Sequence, residues 1–163
     1  MAYVQQTNVI GCQAIAETST VQKHPLGARV KAVAPTYGEG EFIYLLGVAS
    51  TAIGSWVTYN QDDGSTALLA ANAIGPVGIA MSANVANQYG WYQIYGKAVG
   101  LVATGFADNG LVFATATAGT ADDAVVAGDR VKNALGASAI GTPSAGKAEM
   151  EIQYPFMDDA TAA

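Results

Sequence analysis

Apolar and polar positions alternate along this chain with a period of two rather than 3.6. The clearest run is 148–156. Ala148, Met150, Ile152, Tyr154 and Phe156 share one parity, and Glu149, Glu151 and Gln153 the other. This is the pattern of a half-buried strand with one wet face. Pro155 near its end predicts an edge or a terminus, because proline cannot donate to a ladder. A second strand is predicted over 91–99, with Tyr92, Ile94 and Ala98 on one face and Trp91, Gln93, Tyr95 and Lys97 on the other. Aromatic residues on both faces suit a strand covered on both sides, and Gly96 inside it predicts a bulge.

Further strands are predicted at 42–48, 55–59, 66–69, 77–81, 101–104 and 110–115, with weaker signals at 29–33 and 129–131. Asn60-Gln61-Asp62-Asp63-Gly64-Ser65 is a polar turn, and Asp108-Asn109-Gly110 reads as a hairpin between 101–104 and 110–115. Alanine-rich stretches at 66–73, 83–88 and 121–126 are too short for stable helices, and 19 glycines interrupt most longer windows. Short strands separated by Gly-rich turns predict an all-β fold, a single-domain sandwich or barrel, jelly-roll-like, with short or no helices. The expected organisation is an extended arm over 1–14, a β domain over 15–157 and a loose tail over 158–163.

Composition refines this picture. The chain has 163 residues, enough for a sizeable core. Hydrophobic residues make up 51%, but 32 of them are alanine, so the positive mean hydropathy does not signal a membrane protein. The charge-free stretch 64–96 is broken by polar residues, glycine and proline, and offers no continuous apolar span of about 20 residues. No basic region followed by an apolar segment opens the chain, so no secretory signal is read. Net charge is −6, and the seven basic residues form no run, which argues against nucleic acid as a partner. Cys12 is the only cysteine, so the fold does not depend on an internal disulfide. These features fit cytoplasmic synthesis.

Candidate chemistry is sparse. His24, the only histidine, precedes Pro25 in a polar stretch and reads as an exposed loop residue; one Cys and one His carry no spacing that marks a nucleophile pair. Cys12 reads as a small buried hydrophobe. The pairs Asp62-Asp63, Asp122-Asp123 and Asp158-Asp159 read as solvated turns. Asn60-x-Asp62-x-Gly64 resembles the start of a calcium loop but lacks its later ligands. No phosphate-binding loop, nucleophile elbow or zinc set is found, so no catalytic, metal or cofactor site is assigned. Glu39 and Glu41 read as a solvated strand start. Tyr89, Trp91, Tyr92 and Tyr95 form an aromatic group that could be core, a protein interface or a ligand platform. Tyr3, Trp91 and Tyr95 are the interface candidates.

Several phrases then acquire meaning together. They are Gly54-Ser55-Trp56-Val57-Thr58-Tyr59-Asn60, Gly75-Pro76-Val77-Gly78-Ile79-Ala80-Met81, Tyr89-Gly90-Trp91-Tyr92-Gln93-Ile94-Tyr95-Gly96, Ala127-Gly128-Asp129-Arg130-Val131 and the stretch from Gly146 to Phe156. In style and order they resemble the decoration, or cement, proteins of tailed-bacteriophage capsids, over about residues 28–157. The resemblance implies a structural virion protein on the capsid exterior, made in the host bacterial cytoplasm. It would bridge subunits of the major capsid protein and stabilise the shell. It also implies a homo-oligomer, dimer or trimer, with no catalytic residues. The alternatives are a head-fibre or tail component and a carbohydrate-binding β module using the Trp91 and Tyr95 face. A hydrolase ranks last, since no acid pair is placed in a cleft.

Overall fold

The structure, a computed structural model, describes residues 4–5 and 11–158. The all-β reading is correct: no helix occurs among the described residues, and so none is long and apolar enough to cross a membrane. The strands are β1 (Val4–Gln5), β2 (Arg29–Ala34), β3 (Gly38–Leu46), β4 (Trp56–Tyr59), β5 (Thr66–Leu68), β6 (Ile74–Ala80), β7 (Tyr89–Leu101), β8 (Leu111–Ala114), β9 (Ala121–Asp122), β10 (Arg130–Gly136) and β11 (Lys147–Asp158). They join in one antiparallel sheet in the order β1-β2-β3-β7-β6-β11-β10-β8-β9, with β4 bridging β5 and β6 and a further pairing of β7 with β11.

Strand β7 organises this arrangement. One edge takes β3 from Leu46 to Glu41, and the other takes β6 briefly at Tyr92 and Gln93 and then β11 from Tyr95 to Leu101. Gly96 allows the crowding at this junction. Its φ is +97°, and a Cβ there would stand 2.4 Å from the Glu39 carbonyl oxygen, so only glycine fits without backbone movement.

Both faces of β3 and of the first half of β7 are buried, as aromatics on both parities implied for β7. Phe42, Tyr44 and Trp91 belong to one core cluster with Val30, Ala32 and Ile15. Ile43, Leu45, Tyr92 and Ile94 belong to another with Val57 and Tyr59. A third and larger cluster joins Trp56, Ile79, Phe106, Val112, Met150 and Ile152. Alanine is at work here: Ala32, Ala98, Ala121 and Ala148 are fully buried, which lets strands pack closely with few large aliphatics.

Three expectations need correction. The turn at 107–110 forms, with the Gly110 amide donating to the Ala107 carbonyl, but no hairpin follows. Strand β8 pairs with β10 and β9, where Val112 and Ala114 pack in one buried cluster with Ala121, Val131 and Ala134. Strand β11 is not an edge, since β10 flanks it on one side and β7 and β6 on the other. The folded body also starts before residue 15. Gln13 is buried, and β1 pairs with β2 of the same chain through Val4 and Gln5. Strand β11 runs to Asp158, and the rest of the expected tail, 159–163, lies outside the described residues.

Candidate interaction surface

Strand β11 changes partners midway. Lys147 to Gln153 lie opposite β7, and Phe156 to Asp158 lie opposite β6. At the crossing Tyr154 has a φ of 51°. On the β10 side, Lys132 faces Phe156 while Ala134 faces Ile152, so β11 carries extra residues at this point. This bulge is where Pro155 can sit inside a sheet. It also reverses the alternation. Met150 and Ile152 point inward, but beyond them Pro155 and Met157 are the buried residues, and Tyr154 and Phe156 stand 47% and 37% exposed. The expectation that Tyr154 and Phe156 share the buried face is therefore wrong.

Tyr154 is held firmly on the outer surface. Its ring lies 5.4 Å from that of Tyr95 at an interplanar angle of 35°. The Arg29 guanidinium stands 6.0 Å from its centroid. Its hydroxyl donates to Glu41 Oε2 at 2.9 Å, while Arg29 makes a longer 3.4 Å contact to Glu41 Oε1. Glu41 is buried, not the solvated carboxylate its sequence position suggests, because these partners enclose it. The hydrogen bond to Glu41, then burial, pushes the Tyr154 hydroxyl above the usual tyrosine pKa. Burial does the same to Tyr59, with Arg29 pulling the other way. A ring fixed in this way loses little freedom when something docks on it.

Two depressions flank Tyr154 and Phe156. A groove of about 310 Å³ is lined by Arg29, Tyr59, Gln61, Pro76, Tyr154 and Phe156. It shares Tyr59, Gln61 and Pro76 with an adjoining hollow of about 500 Å³ along the turn after β4. Beyond Phe156 lies Lys132, whose ammonium is 5.6 Å from that ring and pairs with Asp158. Lys132 and Asp158 then border an apolar cleft of about 350 Å³ formed with Leu111, Phe113, Val125 and Val126. Val125 is 80% exposed, Val126 46% and Leu111 40%. Exposed aromatic side chains thus run from Tyr95 through Tyr154 to Phe156, and the Lys132–Asp158 pair stands between Phe156 and the apolar cleft at Val125.

Of the predicted site residues, Tyr95 belongs to this surface. Trp91 does not. It is buried beneath Tyr44 and His24 in a core cluster, and its indole N–H donates to the Gln13 carbonyl at 2.9 Å. Tyr3 lies outside the described residues. His24 is half-buried rather than an exposed loop residue. Its ring packs 5.0 Å from that of Tyr44, and its Nε2 accepts the Gln13 amide. Asn60 and Asp63 spend side-chain oxygens on the amides of Asp62 and Ser65 inside their own turn. No group of three metal-ligating side chains occurs among the described residues.

No family, curated protein or solved structure matches the chain. Sequence reasoning passed over Tyr154, Phe156 and Arg29 as surface residues. The available signal was Pro155: a proline in a strand so strictly alternating marks either an edge or a bulge, and only the second reverses parity.

Proposed function

We propose that this chain is a structural virion protein of the decoration, or cement, type. It binds the exterior of a tailed-phage capsid and stabilises the shell by bridging subunits of the major capsid protein. Its action is binding without turnover, as a homo-oligomer of two or three copies, after synthesis in the bacterial cytoplasm. The sequence phrases above support the family. The observation that carries a docking role is the exposed apolar cleft at Leu111, Val125 and Val126 on a rigid β body. Clustered apolar side chains left in water mark protein contact sites. A shell presents the same site many times, so a modest contact suffices once several copies are linked. The surplus of acidic side chains keeps free copies soluble before they meet the shell.

Quantitative mass spectrometry of purified particles tests this reading. A ratio of this chain to the major shell protein near a simple lattice fraction is the expected result. A few copies per particle, or none, would remove the cement role.

A further inference from the structure

The groove beside Tyr154 differs in character from the apolar cleft, and nothing in a shell-docking role accounts for it. We propose that it is a binding site for a neutral oligosaccharide chain. The groove and its adjoining hollow form one open channel that shares Tyr59, Gln61 and Pro76. Its walls combine two kinds of group. Tyr154, Phe156 and Pro76 supply flat apolar faces, which match the C–H face of a pyranose ring. Gln61 supplies an uncharged amide with both donor and acceptor, and Asn60 keeps its side-chain NH₂ while its oxygen holds the Asp62 amide, groups that match the hydroxyl rim of the same ring. A saccharide needs both along one track, whereas a purely apolar partner would leave the amides unpaired.

Charge selects among polar ligands. The cation in the groove, Arg29, already contacts Glu41 and stands 6.0 Å from the Tyr154 ring centroid. The far rim carries Asp62, with Asp63 beside it in the turn. An anionic chain would therefore meet a neutralised arginine and at least one carboxylate, an arrangement that disfavours phosphate, sulfate or acidic peptide. An open channel rather than a closed cavity suits several sugar units of a chain. The backbone around it is fixed by β4, β6 and β11, so binding requires little reorganisation. The site is separate from the cleft at Val125 and stands or falls independently of the shell role.

The experiment is an amide-resolved NMR titration of the full chain with maltohexaose, cellohexaose and a neutral mannan, with dextran sulfate and a Pro-rich peptide as controls. The expected result is shifts at 58–66, 74, 75, 154 and 156 with at least one neutral sugar at millimolar concentration, and none there with dextran sulfate. Gln61→Ala changes an exposed turn residue and leaves the fold intact; it weakens binding about tenfold, the equivalent of ~1.4 kcal/mol. Tyr154→Ala weakens it at least as much. No shift with any neutral sugar, shifts confined to other residues, stronger binding of dextran sulfate, or capture of the peptide alone would each overturn the proposal.

Discussion

Gln13 shows how much one polar side chain can decide. Its Oε1 accepts the Tyr44 hydroxyl at 2.8 Å, and its Nε2 donates to the carbonyls of Glu17 and Tyr89 at 2.7 and 3.2 Å. Its main chain meets His24 and Trp91. These bonds tie the segment ahead of residue 15 to the aromatic cluster of Tyr44, Tyr89 and Trp91. Gln13→Ala keeps the main-chain bonds but removes the acceptor of the Tyr44 hydroxyl proton, leaving that hydroxyl only the Lys23 amide, and removes the side-chain donor to the Glu17 and Tyr89 carbonyls. Leaving such a group unpaired costs about 1–3 kcal/mol. The denaturant midpoint should fall accordingly without a change of slope, since the surface exposed on unfolding is the same. An unmoved midpoint would mean that the segment is not anchored through this side chain.

Among the elements, the outer face of β2, β3, β7 and β11 follows a simple electrical order. Arg29 and Lys31 on β2 face Glu39 and Glu41 on β3, and Lys97 on β7 faces Glu149 on β11. Lys97 reaches Glu149 at 2.7 Å and lies 5.6 Å from the Tyr37 ring. The Lys97 hydrogen bond, helped by Tyr37, holds the Glu149 carboxyl below its usual 4.5 against a weaker opposing effect of burial. A depressed carboxyl contributes stability that is fully present above its unfolded pKa and is lost as pH falls through the lower folded value. Wild type should therefore exceed Glu149→Gln in stability at neutral pH, and the gap should close in acid. The gap is about 1 kcal/mol or less, because Lys97 remains partly in water. Urea melts of both proteins at a series of pH values measure it, and a gap that persists below the folded pKa would refute the assignment. Such alternation is what made most strands legible in the sequence: β2, β3, β4, β6, β8 and β11 all fall within a few residues of their predicted positions. Partners were not legible, because Leu111 to Ala114 carries no mark that selects β10 over the nearer 101–104. Nor was the reversal at Tyr154, where a bulge changes parity without changing composition. His24 and Glu41 were misread for a related reason: their burial comes from residues distant in sequence, Trp91 for one and Tyr154 for the other.

At the scale of the whole molecule, the two proposals assign shell contact to the cleft and sugar binding to the groove, and this division can be tested on the shell. Val125 and Val126 lie in the loop between β9 and β10 and point into water. Replacing both with aspartate should change the fold little, since exposed positions usually tolerate substitution within about 0.5 kcal/mol. The same change places two carboxylates in a contact that the proposed role closes to water, where an unpaired charge is strongly disfavoured. The double variant should therefore keep the wild-type melting temperature yet fail to sediment with expanded capsid shells lacking this chain. Gln61→Ala, altered in the groove alone, should sediment as wild type does. In the proposed role attachment involves many equivalent sites, so a moderate loss at each contact should appear as a steep loss of decoration across a narrow protein concentration. If Val125→Asp/Val126→Asp still saturates the shells, the cleft is not the docking surface. If Gln61→Ala fails instead, the shell contact runs through the groove, and the two regions are one interface.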